Sequence, residues 1–142
     1  MIIDSHCHLL ASRYDIPVNE VIENCFAENI SLLLNIATKE SEFNEILDIS
    51  RKYKRIYNSV GIHPHETEHL DPGIFDRINK VILENKKTIA VGETGLDYYY
   101  NHSNKKSQII SFEKHIETAL EHNLPVIVHS RDAEKDTKEI LY

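Results

Sequence analysis

Cysteine is scarce in this sequence and long apolar runs are absent, and each of these features excludes a class of protein. The two cysteines, Cys7 and Cys25, are too few for a disulfide framework, which favours a reducing compartment. No uncharged stretch is long enough to cross a bilayer, and Asp4 follows Met1 too closely for a signal peptide. We therefore expect a cytoplasmic protein with no membrane partner.

An excess of basic residues is also missing. The chain has 16 Lys and Arg against 23 Asp and Glu, which gives a formal net charge of -7. Proteins that bind nucleic acid through basic patches present clustered Lys and Arg to the phosphates. Any chemistry on phosphate would therefore need cations from elsewhere, and metal ions are the obvious source.

The pattern of apolar residues predicts one α/β domain. The chain has 142 residues, 41% of them hydrophobic and 27% charged, which is enough for one domain with a core, and it has no repeat or flexible linker. Short apolar runs, typical of buried parallel strands, alternate with helical spacing five times. The expected strands are Ile2 to Ser5, Ile30 to Ala37, Ile56 to Ile62, Thr88 to Gly92 and Pro125 to His129. This alternation predicts either an open doubly wound sheet or part of a (β/α) barrel.

Two histidines end the first predicted strand. Because successive side chains on a strand point to opposite faces, Asp4, His6 and His8 share one side. Cys7 then points away, and we expect it to pack rather than to bind metal. The two imidazoles have two interpretations: they bind a metal, or they are a hydrogen-bonded pair in the core or in a loop. A nucleotide-binding sheet would carry a Gly-rich turn at this position instead.

Side chains that can bind metal also end two other predicted strands. Glu93 follows the apolar run before it, and His129 ends the last one. The carboxyl ends of parallel strands form the site in barrels and open sheets, so we expect these residues to converge with His6 and His8. Such donors suit Zn, Mn, Fe or Co, and a bridging Glu93 would permit two metals about 3.5–4 Å apart. The alternatives are a capping or ion-paired Glu93 and a His129 bonded to backbone.

Four segments together resemble the motifs of the TatD family of metal-dependent hydrolases: DSHCHL, VGIHPHE, VGETGLDYY and LPVIVHSRDA. The resemblance runs from Met1 to nearly Tyr142. It implies an α/β fold, a parallel (β/α) TIM barrel of the amidohydrolase type, with deoxyribonuclease activity of the 3′-5′ exonuclease type on DNA. It also implies two divalent metal ions, Mg, Mn or Zn. By position, His6 and His8 hold one ion, the catalytic Glu93 bridges both, and His129 holds the other.

The same resemblance points to a substrate side. His63 and His65 match a loop of the family in which an imidazole meets a phosphate oxygen, although a surface turn explains them almost as well. Arg131 is expected to bind a phosphate through two hydrogen bonds, or else to form a local ion pair with Asp132.

Two further features of these motifs have open interpretations. Asp97 either orients a metal ligand or caps a turn. The run Tyr98 to Tyr100 either stacks on bases or packs under a loop. The remaining histidines are expected to be solvated: His69, His102, His115 and His122.

The chain departs from the family pattern in its length. Family members continue through a strand with another metal-binding His and a later strand with a metal-binding Asp, and a full barrel takes about 250 residues. We therefore expect residues 1–142 to be the N-terminal portion of one barrel domain, about five β/α units, with Val128 on an unpaired edge. Three hypotheses stay open: a DNase; a metal hydrolase of another ester or amide, such as aminoacyl-tRNA; or an inactive remnant or half-barrel that needs a separately encoded C-terminal half.

Overall fold

A computed structural model describes all 142 residues and shows strands and helices in strict alternation. The strands are β1 (Ile2–Cys7), β2 (Ile30–Ile36), β3 (Ile56–Val60), β4 (Thr88–Asp97) and β5 (Val126–Arg131). The helices are α1 (Val18–Ala27), α2 (Phe43–Lys52), α3 (Ile74–Glu84), α4 (Lys105–His122) and α5 (Glu134–Leu141). None of these helices combines the length and the apolar character that a membrane span requires.

The five strands form one parallel sheet in the order β1-β2-β3-β4-β5. Each strand pairs with the next one along the chain, as successive β/α units do. The prediction of a parallel α/β fold with five such units is therefore confirmed. Because every strand runs the same way, all five carboxyl ends lie at one edge of the sheet.

Apolar residues of the sheet pack against the helices and form the core. Ile22 of α1, Ile46 of α2 and Ile78 of α3 are fully buried, as the helical spacing predicts. Burying each of these side chains contributes about 1.5–3 kcal/mol. Cys7 packs into the cluster around Ile22, and its thiol donates a hydrogen bond to the Leu34 carbonyl at 3.3 Å. This packing confirms the prediction of a packing cysteine, and burial raises the pKa of Cys7 to about 12.

Helix α4 begins and ends at residues that suit its ends. The Asn104 side chain accepts a hydrogen bond from the Ser107 N–H at 2.9 Å and caps the first turn. Asn123 adopts a left-handed conformation (φ 52°) directly after the helix, and Pro125 prevents its continuation. The chain therefore turns back at once into β5, which brings His129 alongside Gly95 of β4.

Every predicted strand differs from the observed one at an end, by one or two residues in β1, β2, β3 and β5 and by more in β4. Strand β4 extends to Asp97 rather than ending at Gly92. For helix α3, the sequence Asp71-Pro72-Gly73 predicts an N-cap at Asp71 followed by proline at the first helical position. The helix instead begins at Ile74, with Gly73 as its cap. The Asp71 carboxylate instead accepts the Gly73 N–H at 2.8 Å and pairs with Arg77, which delays the helix.

Candidate metal centre

His6, His8 and Glu93 meet at the carboxyl ends of β1 and β4. Each offers one ligand atom, and these atoms lie within 4.8 Å of one another. His6 Nε2 is 3.3 Å from Glu93 Oε2. The Nδ1 of His8 lies 2.9 Å from the Ile36 carbonyl oxygen, to which it donates a hydrogen bond. This bond fixes the tautomer and leaves the lone pair of Nε2 available, as is typical of metal-binding histidines.

His63, His65 and His129 form a second group of three. Their ligand atoms also lie within 4.8 Å of one another. His63 and His65 belong to a short turn after β3, where the His65 N–H donates to His63 Nδ1 at 3.2 Å. Burial lowers the pKa of His63 to about 4, so its imidazole is neutral at pH 7. A neutral imidazole is the form that binds metal.

Glu93 lies between the two groups. Its Oε1 is 3.3 Å from His129 Nδ1, while its Oε2 faces His6. Burial raises the pKa of Glu93, but the hydrogen bond with His129 and the nearby imidazoles outweigh this effect, so the pKa lies below its ordinary value. The side chain is therefore a buried carboxylate with one oxygen directed at each histidine group.

Asp97 is fully buried behind the second group. Its Oδ2 accepts hydrogen bonds from His65 Nε2 and His129 Nε2, both at 2.9 Å. Burial raises the pKa of Asp97, yet hydrogen bonds from the Tyr100 N–H, His65 and His129 hold that pKa well below its usual range. Its Oδ1 also accepts the N–H groups of Tyr99 and Tyr100. Asp97 therefore orients two imidazoles and also caps a turn, and whether either imidazole is a metal ligand stays a prediction.

The two groups open into one cavity of about 350 Å³ that has no hydrophobic lining residue. Its lining residues are His6, His8, Arg13, Thr38, His63, His65, Glu66 and Glu93. Arg13 is the lone Lys or Arg among them, and its side chain forms no ion pair. Arg13 is not among the predicted site residues, and its position just after the carboxyl end of β1 is the one signal for it in the sequence.

Arg131 occupies a different place from the other predicted site residues. It ends β5, is exposed, and does not line the cavity. Its guanidinium lies over the Tyr100 ring, 5.1 Å from the centroid, and forms no ion pair with Asp132. The substrate role of Arg131 stays a prediction, as do the individual roles of His63 and His65.

His115 contradicts the expectation of a solvated histidine. It is fully buried on the inner face of α4, where its Nδ1–H donates to the Ser111 carbonyl at 2.6 Å. Its Nε2 accepts the Ile62 N–H at 3.0 Å, one residue before His63. The prediction was wrong because it rested on the polar residues next to His115 in the sequence. His115 follows Phe112 by three positions, and this helical spacing places it on the buried stripe of α4.

The donor set suits a divalent cation. Imidazole nitrogens with one carboxylate match Zn and other first-row transition metals. His8 donates through one ring nitrogen to the Ile36 carbonyl, and His129 donates through one ring nitrogen to Asp97. Metal-binding histidines normally make such a hydrogen bond with the nitrogen that does not bind the metal. The geometry therefore fits a metal-binding centre, while the assignment of His6, His8, Glu93 and His129 as its ligands stays a prediction.

The family model described as TatD related DNase matches residues 3–142. This chain belongs to the TatD family. Curated relatives include an uncharacterized metal-dependent hydrolase of Buchnera aphidicola subsp. Acyrthosiphon pisum, which is 38% identical over 99% of this chain and 56% of the relative. YabD of Bacillus subtilis, also named an uncharacterized metal-dependent hydrolase, is 34% identical over 99% of this chain and 55% of its own length. The 3'-5' ssDNA/RNA exonuclease TatD of Salmonella typhimurium is 29% identical over 92% of this chain and 50% of its own length.

Solved structures of TatD-family proteins share the fold. YjjV, a TatD homolog from Escherichia coli, superposes with a TM-score of 0.84 at 24% identity, over 99% of this chain and 54% of that one. A TatD-family hydrolase from Entamoeba histolytica gives a TM-score of 0.87 at 22% identity, over 99% and 55%. The fold is thus that of the TatD-type (β/α) barrel, and the predicted barrel class is confirmed. The chain spans about half the length of the curated relatives it matches.

Proposed function

We propose that this chain carries the metal centre of a hydrolase that cleaves phosphodiester bonds in DNA from the 3′ end. The observation that carries the proposal is the position of Glu93, whose two oxygens face two separate histidine groups. A carboxylate placed in this way suits a pair of divalent ions, which is the usual arrangement for in-line cleavage of a phosphodiester. The named exonuclease among the relatives supports DNA or RNA as the substrate.

Each residue has a defined part in this proposal. His6, His8 and Glu93 Oε2 would hold one ion, and His129 with Glu93 Oε1 would hold the other. Bound divalent ions of this kind supply an activated water and polarise the phosphoryl group. Asp97 fixes the His129 ring through Nε2, which keeps Nδ1 directed at Glu93. Arg13 supplies a permanent positive charge to an anionic substrate in the cavity.

The open edges of the sheet favour a second proposal about partners. Strands β1 and β5 each leave one side without a paired strand. A separately encoded C-terminal half that continues the barrel would pair with these edges and add ligands to the centre. In that case, the chain alone would bind metal but hydrolyse DNA only after the second half is added.

Metal titration and nuclease assays test these proposals together. We expect the wild-type chain to bind Mn²⁺ or Zn²⁺ in calorimetry, and Glu93→Gln or His6→Ala to weaken that binding by on the order of tenfold or more. His69→Ala is the matched control, because His69 is exposed and lies outside both groups. Release of nucleotides from the 3′ end of single-stranded DNA should depend on the same residues.

Two outcomes would contradict the proposal. If Glu93→Gln bound metal as tightly as wild type, the metal centre would be wrong. If the metal-loaded chain, alone or with a C-terminal half, cleaved aminoacyl esters or amides but not DNA, the substrate assignment would be wrong.

A further inference from the structure

Three exposed aromatic rings lie beside the second histidine group. Tyr99, Tyr100 and His102 follow β4 and are here named the aromatic patch. Tyr99 is 61% exposed and Tyr100 is 50% exposed. The ring of His65 contacts the patch, with centroid distances of 5.6 Å to Tyr100 and 4.6 Å to His102. The patch is therefore one ring away from the cavity that His65 lines.

The three consecutive tyrosines have different environments. Tyr98 turns inward, where its hydroxyl donates to Asp136 at 2.7 Å and the Lys105 ammonium lies 3.9 Å from its ring centroid. The contacts of Tyr98 within the fold therefore account for a tyrosine at this position. Tyr99 and Tyr100 remain at the surface, although both of their N–H groups are held by Asp97. Their backbone is fixed while their rings stay open to a ligand.

The rings of the patch are grouped rather than scattered. Tyr100 and His102 are stacked, with their planes 14° apart and centroids 5.7 Å apart, and Tyr99 meets Tyr100 edge-on at 4.8 Å. Arg131 lies over Tyr100 and gives this acidic chain a local positive charge. Exposed single aromatics need no explanation, but a fixed group of them beside a cavity marks a ligand surface. Aromatic rings with a nearby cation are the elements that bind single-stranded nucleic acid.

We propose that the aromatic patch, together with Arg131, is a stacking site for a base of single-stranded nucleic acid. The phosphate next to that base would lie in the cavity at the metal centre. The inference rests on the proposed nuclease function and adds to it the residues that hold the base. A single strand, the substrate in the name of the exonuclease relative, leaves the faces of its bases free to stack on these rings. Stacking on such rings contributes about 1–3 kcal/mol per base.

Binding of a fluorescent single-stranded phosphorothioate oligonucleotide tests the stacking site. We expect the double variant Tyr99→Ala/Tyr100→Ala to bind at least about fivefold more weakly than wild type, the lower bound of one lost stacking contact. The double variant Tyr99→Phe/Tyr100→Phe keeps both rings and should bind as wild type does. Tyr142→Ala is the matched control, since Tyr142 is fully exposed and not part of the patch.

An abasic oligonucleotide of the same length separates stacking from phosphate binding. It keeps the charge but has no bases, so wild type and the alanine variant should bind it equally. The stacking site is wrong if the alanine variant binds the base-bearing oligonucleotide as tightly as wild type. It is also wrong if wild type does not bind that oligonucleotide. It is wrong as well if the alanine variant loses as much affinity for the abasic oligonucleotide as for the base-bearing one.

The two proposals fail in distinguishable ways. A chain that binds bases through the patch but never cleaves DNA contradicts the nuclease function alone. A chain that cleaves DNA with no loss in the alanine variant contradicts the stacking site alone. Metal titration of the alanine variant should match wild type, which shows that the centre and the fold are intact.

Discussion

His115 is a buried imidazole whose two nitrogens both bind backbone groups. It accepts from Ile62 and donates to Ser111, so it joins α4 to the segment that leads into His63. No charged group compensates for its burial. The buried site therefore strongly favours the neutral ring, and burial lowers the pKa of His115 to about 4 from an ordinary 6.5.

The stability of the fold should depend on pH through His115. Because its folded-state pKa lies below the unfolded value, the unfolded chain binds the proton more readily. The stabilisation is therefore complete above about pH 6.5 and is lost as the pH falls toward 4, at about 1.4 kcal/mol per pH unit at most. Urea unfolding at several pH values measures this effect. Between about pH 4 and 6.5, the free energy of unfolding should change less steeply with pH for His115→Gln than for wild type. Parallel curves for the two proteins would contradict this explanation.

Much of the candidate centre can be predicted from residues at strand ends. His6, Glu93 and His129 lie on different strands, but parallel strands bring their carboxyl ends to one edge. The position of the centre follows from this rule and from strand order. The placement of His63 and His65 next to His129 does not, because it depends on the path of the turn after β3. Arg13 was missed for a similar reason, since a short turn directs it to the cavity.

At the scale of elements, β4 shows why glycines can mislead a sequence prediction. Gly92 and Gly95 look like turn residues, so the strand was expected to end before Glu93. In the structure, both glycines have positive φ and lie where β4 closely approaches the backbone of β5. A Cβ at Gly95 would overlap the His129 carbonyl oxygen. These glycines therefore mark a close strand contact, which sequence alone does not distinguish from a turn.

Replacement of Gly95 by alanine tests this contact. The added Cβ would both occupy an unfavourable φ of +134° and push β5 away, so we expect a loss of about 2 kcal/mol or more in unfolding free energy. Gly73→Ala is the matched control, because Gly73 has a negative φ and its nearest neighbours are the side-chain atoms of Arg77 and Asp71. Guanidinium unfolding measures both variants. Equal stability of the two variants would contradict the contact.

At the scale of the whole molecule, the order of the sheet could be predicted, but not the surfaces at its edges. Strand alternation predicts five parallel units, and the structure confirms them. The exposed apolar side chains on the two edge strands depend on the final packing. Ile2 and Ile3 on β1 and Val128 on β5 are each more than a third exposed. Unpaired edges that carry apolar side chains promote association between chains.

A lysine on one edge should therefore reduce self-association. Val128→Lys places a charge on β5, and we expect the weight-average mass at high concentration to fall toward that of a monomer. Leu120→Lys is the matched control, since Leu120 is an exposed apolar residue on α4 rather than on a strand edge. Sedimentation velocity over a concentration series measures this effect. A similar reduction in both variants would assign the association to general surface hydrophobicity.

The single carboxylate of Asp97 has a consequence for mutagenesis of this molecule. One of its oxygens accepts hydrogen bonds from the His65 and His129 imidazoles. The other accepts hydrogen bonds from backbone N–H groups of the aromatic patch. Residues that share a bonding partner do not respond independently to substitution. The effects of changes at His65 and His129 will therefore not sum, and their roles can be separated only through double-mutant cycles that include Asp97, rather than through single replacements.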